Sequence, residues 1–190
     1  AMTIGLIILT ALSSTFLMQR KIYDVQEQVA EMVQTARGAM DMMSREIRLA
    51  GYAPTGYVPT GGTMQRSDPT GTNFVGISYN AGQLQIRADL TGDGNTNGSN
   101  EDIIYTYDAT DLQIDRNTGG GDQPFAENIQ SFTFDYLDSA GNATTTPVNI
   151  RQIIITITAR TSKPDRNYTP NSGYRTYTLT SYITPRNLAF

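Results

Sequence analysis

The sequence predicts an α+β fold in which one long N-terminal helix carries a β-rich antiparallel head. Three observations lead there. Between Ala1 and Ala50 there is no proline and only two glycines, Gly5 and Gly38, and the apolar residues recur at helical spacing. After Gly51 the composition turns to Gly, Pro, Thr, Asn and Tyr, with short runs of alternating polarity. The gaps at Asn80-Ala81-Gly82 and Asp138-Ser139-Ala140-Gly141-Asn142 leave no room for a crossover helix, so antiparallel pairing is expected. The expected organisation is a helical spine over residues 1–52 and a head over 53–190 packed on the distal half of the helix.

Residues 1–19 carry no charge. As a helix they measure roughly 28 Å, close to the thickness of a bilayer core, so the first half of the spine is expected to span a membrane. A secretory signal peptide is the alternative, but the basic start that one needs is missing. A buried core helix is the other. From Ile22 the apolar positions are Ile22, Val25, Val29, Met32, Ala36, Met40, Met43, Ile47 and Ala50, which draws one stripe along a helix and makes the second half amphipathic. Gly51 suits a C-cap and Pro54 forbids continuation. The stripe fits a two-stranded coiled coil, but its Met and Ala content suits a sheet at least as well.

In the head, residues 53–72 hold three prolines and four glycines and read as a loop. Strands are expected over 74–79, 84–88, 103–107, 112–114, 132–136, 150–159 and 174–183. Phe132, Phe134 and Tyr136 share one face of their strand, as do Ile153, Ile155, Ile157 and Ala159, and the stripe on the spine is the partner expected to cover them.

With no Cys and no His among 190 residues, the chain has no thiol nucleophile, no disulfide and no imidazole proton shuttle, so it is not expected to be an enzyme. The net charge of −4 has the wrong sign for gripping phosphates, and no nucleic acid is expected as a partner. Residues 1–52 hold five basic and five acidic side chains, which leaves nine basic and thirteen acidic for the remainder.

The apolar run AMTIGLIILTALSSTF passing without a break into QRKIYDVQEQVAEMVQTARGAMDMMSREIRLAGY, the turn DLTGDGNTNGSNEDIIYTY, the stretch ENIQSFTFDYLDSAG and the closing TPRNLAF together resemble the type IV pilin and type II secretion pseudopilin superfamily, in particular minor pilins of the PilW and GspJ kind. The resemblance covers nearly the whole chain. It implies a structural filament subunit, most of all a minor pilin that primes or caps a type IV pilus or pseudopilus. It also implies residence in the bacterial inner membrane as a single-pass protein, followed by a periplasmic or extracellular filament with other pilins or pseudopilins as partners. The alternatives are an adhesin-like or DNA-uptake pilin whose head binds a ligand, and the major subunit. Members of the superfamily begin with a methylated aromatic residue and carry a glutamate in fifth place. Here those places hold Ala1 and Gly5, and aligning the apolar run sets the family's first residue about eight positions ahead of Ala1. By themselves Arg20 and Lys21, following the apolar run, argue for a cytoplasmic C-terminal side, whereas the family orientation places the head outside.

Residues 89–102 hold the one constellation with the look of a site. Counted from Asp93, oxygen-bearing side chains stand at positions 1, 3 and 5 (Asp93, Asn95, Asn97), Gly98 is at 6, Ser99 offers a carbonyl at 7 and Glu101 is at 9. That is calcium-loop spacing, with Asp89 or Asp102 substituting for the absent glutamate of position 12, where Ile104 stands. The alternative is a solvated hairpin loop rich in turn-forming residues. Weaker candidates are three Asn-x-Ser/Thr triplets at Asn97, Asn142 and Asn167, a binding face made of strand tyrosines, and the carboxylate pair Asp135 and Asp138.

Overall fold

With no proline to break it, the N-terminal segment is one helix, α1 (Met2–Leu49), about 72 Å long. The computed structural model describes residues 2–54, 57–60, 63–66 and 73–188, of which 2–8, 10, 11, 57–60 and 64–66 are described as backbone alone. The stripe is buried from the middle of the helix downward: Met32, Ala36, Ala39, Met40, Met43, Ile47 and Ala50 all lie in the core. Above it Val25 and Val29 are partly buried, and nearer the N-terminus the described apolar side chains are bare, with Leu9 67% and Phe16 60% exposed. Among the described residues no helix is long and apolar enough to cross a membrane. Residues 1–8, 10 and 11 of the span expected from the sequence lie outside those whose side chains are described.

The helix ends as its sequence requires. Gly51 takes a positive φ of 73°, and the Tyr52 amide returns to the Leu49 carbonyl at 2.8 Å. The last carbonyls are also met by the C-terminal tail, where the Arg186 amide reaches Arg48 O at 3.3 Å and the Asn187 side-chain amide donates to Arg48 O and Leu49 O. These acceptors have no partner inside the helix, and the tail supplies one.

Strands β1 (Tyr57–Thr60), β2 (Thr63–Arg66) and β3 (Phe74–Val75) form a small sheet. Next come β4 (Ile77–Asn80), β5 (Gln83–Arg87), β6 (Asp102–Asp108), β7 (Gln113–Asn117) and β8 (Gln123–Ala126), a five-stranded meander in sequence order. The third sheet has the order β11-β10-β9, from β9 (Ile129–Leu137), β10 (Gln152–Arg160) and β11 (Thr176–Ile183). Every pairing among the described strands is antiparallel.

The stripe of α1 lies on β10 and β11, and it also touches β5 and β8 of the meander. Under it the alternation of β10 is complete, with Ile153, Ile155, Ile157 and Ala159 all buried. Each of the three isoleucines withdrawn from water contributes roughly 1.5–3 kcal/mol. A ring contact between Tyr79 of β4 and Tyr136 of β9 joins the two larger sheets, their centroids 5.7 Å apart.

Some sequence expectations need correction. The stretch 53–72 is not all loop, because it contains β1 and β2. The strand expected over 74–79 is broken at Gly76 into β3 and β4. Strand β8 was not among the expected strands, and it holds Pro124. Prolines are tolerated at sheet edges, and β8 is an edge.

Gly76 marks the point where the helix end, the sheets and the C-terminal tail converge. A Cβ there would stand 2.4 Å from the Gly51 nitrogen and 2.8 Å from Leu188 Cδ2. Gly76→Ala is therefore expected to lower the melting temperature by roughly 6–12 °C, the equivalent of ~3 kcal/mol. Gly38, in the helix with nothing within 4 Å of its would-be Cβ, is the control: Gly38→Ala is expected to raise stability by ~1 kcal/mol. Denaturant melts of the two variants against wild type check both.

Candidate functional site

The acidic loop runs from the end of β5 to the start of β6 and is built around two carboxylates that are wholly buried, Asp89 and Glu101. Asp89 accepts the backbone amides of Gly92 at 2.6 Å and Gly94 at 3.0 Å. Glu101 accepts those of Leu90 and Thr91 on Oε1 and that of Gly98 on Oε2, each at 2.8 Å. Hydrogen bonds to a charged acceptor are roughly twice as strong as neutral ones, and five of them compensate for taking both groups out of water. Three of the five donors are glycines, and Gly92 takes a positive φ, of 78°. Gly94 has a φ of 87°, and a Cβ on Gly98 would stand 2.4 Å from Glu101 Oε2.

The exposed carboxylate of Asp93 joins this pair, so that Asp89, Asp93 and Glu101 each present one oxygen within 4.8 Å of the others. Three converging carboxylates are the donor set of a hard divalent cation. Of the other expected ligands, Asn95, Ser99 and Asp102 have hydrogen-bond partners of their own. Asn95 Oδ1 accepts the Asn97 amide, and the Asn95 amide itself goes to Asp93. Ser99 is engaged by Asn100. Asp102 turns to the sheet, where it accepts from Gln85 and Arg87. The signal that finds the observed grouping is a count begun at Asp89, which puts Asp89, Thr91 and Asp93 at 1, 3 and 5 and Gly94 at 6.

A second cluster was not foreseen. Glu46, near the end of α1, accepts the Tyr105 hydroxyl of β6 and Arg116 Nη2 of β7, the latter at 2.7 Å. The same Nη2 reaches Asn100 Oδ1 at 3.0 Å, so the helix end, the meander and the acidic loop are tied through one guanidinium. Residues 59 and 70 positions apart in sequence meet here, and no local spacing announces that. Burial, then the hydrogen bond to Glu46 and the charge of Glu46, hold the Tyr105 hydroxyl well above the usual phenol range.

A third set of contacts fixes the loop after β10 to the helix. Asp165 pairs with Lys21 at 3.5 Å and with Arg175 at 3.2 Å, and Gln28 Oε1 accepts the Lys163 amide at 2.9 Å. The backbone amide of Asn167, then Arg175 and Lys21, hold the Asp165 carboxyl below the usual carboxylate range.

Two of the weaker candidates, Asp138 and the strand tyrosines, have structural places. Asp138 accepts the amides of Ala140 and Asn142 and so organises its own turn. The strand tyrosines do not share a surface, since Tyr105 and Tyr136 are buried while Tyr79 and Tyr182 are exposed on different sheets.

No family model matches the chain, and no curated protein matches it. Among solved structures it is similar to the type IV-like pilin TTHA1219 from Thermus thermophilus, at 13% identity and a TM-score of 0.47, with 83% of this chain and 97% of that chain covered.

Glu101→Gln replaces the acceptor facing the Gly98 amide with a donor and is expected to destabilise the head by ~2–3 kcal/mol, whereas exposed Asp93→Asn costs little. Calcium tests the sequence expectation directly: an ion seated on all three carboxylates raises the melting temperature of the wild-type protein at millimolar concentration and not that of Asp93→Asn. Tyr105 supplies a pH prediction. Its folded pKa is raised, so its contribution is complete below the ordinary value near ~10 and is lost as the pH climbs past it. Denaturant midpoints between pH 8 and 11 are expected to fall with rising pH in wild type and to fall less steeply in Tyr105→Phe.

Proposed function

We propose that this chain is a structural subunit of a pilin-like filament. One observation carries the reading. A single unbroken helix has its lower apolar residues covered by its own sheets and its upper ones, Leu9, Leu12, Phe16, Leu17 and Met18, bare. An apolar helix surface needs lipid or other apolar helices around it. A membrane satisfies that need before assembly, and the helices of neighbouring subunits satisfy it afterwards. The cellular setting is the bacterial inner membrane first and a periplasmic or extracellular filament later, with the sheets outside in both. The role is structural rather than catalytic, and its partners are other pilins or pseudopilins.

The finer reading is a minor subunit that primes or caps the filament. It rests on the sequence of the helix end and tail, SREIRLAGY and TPRNLAF, which resembles minor rather than bulk subunits. Quantitative mass spectrometry of sheared filaments, together with deletion of the protein, tests both levels. The expected result is a chain present at a small fraction of the main subunit, whose deletion abolishes filaments. Dominance in the filament makes it the major subunit, and intact but non-adherent filaments after deletion make it a ligand-binding one. A chain that stays dissolved as a monomer and never enters membranes or filaments overturns the proposal.

A further inference from the structure

We infer that the flank of α1 beside the Lys21–Asp165–Arg175 cluster is the seat of the acidic flank of a second copy of this chain. The inference rests on the filament reading and names the contact within it.

The flank is a groove of about 1080 Å3 whose floor is Ile22, Val25, Val29 and Val33, with Lys21, Arg37 and Arg175 on its rims. Val25, Val29 and Val33 are only partly buried, and Ile22 is 47% exposed, so this part of the stripe is incompletely covered by the chain's own sheets. The rims carry an excess of positive charge. Lys21 and Arg175 share a single partner, Asp165, while Asp41 is taken up by Arg45 at 2.6 Å. Arg37 has no ion pair among the described residues.

The complementary surface is on the same helix. Asp24, Glu27 and Glu31, at spacings of three and four, form one stripe. At 100° per residue that stripe lies roughly opposite the valine floor. The three line a separate hollow of about 350 Å3 with Gln28, Ser162 and Lys163. None of the three enters an ion pair among the described residues.

An unpaired acidic stripe on one side and an under-neutralised cationic groove on the other fit each other between parallel copies, not within one. Such a contact joins two different patches, so it leaves each pair with a free patch at both ends and propagates instead of closing. Charge of opposite sign across it fixes which copies meet and in what orientation. Both flanks are used by a chain that is followed by itself, whereas a pure cap uses one.

The test is sedimentation of the full-length chain in detergent, as wild type, as Arg37→Glu, as Glu31→Lys and as the two together, with circular dichroism and melting temperature confirming that each is folded. Each single reversal is expected to weaken self-association about tenfold, the double variant to regain most of it, and 1 M salt to weaken wild type. Wild type that associates while both single reversals leave it unchanged, or folded variants with no recovery in the double, overturns this contact and leaves the filament reading standing. Wild type that stays monomeric at every concentration in detergent overturns this contact alone, whereas absence of the chain from both membranes and sheared filaments overturns the filament reading.

Discussion

Everything in this molecule depends on how much of one helix the rest of the chain covers. The stripe from Met32 to Ala50 is closed off by β10 and β11 with help from β5 and β8, and the apolar residues above it are not. Hydrophobic burial is the main favourable term in folding and is proportional to area, so the covered half anchors the sheets as firmly as any core. By the same arithmetic the uncovered half is a surface in search of an environment. Stability of the head and the demand for partners come from one continuous helix.

Polar contacts then determine where along the helix the sheets stop. At the lower end Glu46 is gripped by Tyr105 and Arg116, both partners of a carboxylate that is itself mostly withdrawn from water. At the upper end Gln28 and Lys21 hold the loop after β10. Between these two clamps the helix cannot slide along the sheet without leaving a buried charge unpaired, which costs several kcal/mol. The acidic loop belongs to the lower clamp, because Arg116 also holds Asn100. Its buried carboxylates are the internal scaffold around which the backbone of the loop is wound.

The helix and most strands were legible because each rests on a period. Spacings of three and four from Ile22 to Ala50 and the alternation of Ile153, Ile155, Ile157 and Ala159 need only a local count. Gly51 and Pro54 marked the end of the helix for the same reason. What was not legible either broke a local rule or depended on distance. Strand β8 carries Pro124 in a ladder that tolerates it only because it is an edge, and β3 and β4 part at Gly76 because the helix end and Leu188 come too close for a side chain. In the acidic loop the composition was read correctly as carboxylates, amides and glycines. The frame counted from Asp93 placed Glu101 among the inward oxygens but left Asp89 and Asp102 as alternatives, and it does not show that Asp89 is buried while Asp102 faces Gln85 and Arg87. The Glu46, Tyr105 and Arg116 cluster joins residues from three elements, and no single-sequence pattern encodes that meeting.

The tail that closes the helix end has a consequence for the order in which the molecule is made. Asn187 donates to the carbonyls of Arg48 and Leu49, about as far back along the chain as any contact described, 139 and 138 residues earlier, and β11 is the last strand laid against the stripe. During synthesis the helix therefore precedes its cover, and its greasy lower side waits unprotected until β10 and β11 follow. Long-range closure of this kind is slow and exposes sticky surface. A nascent chain of this design carries an open apolar stripe until β10 and β11 have been made.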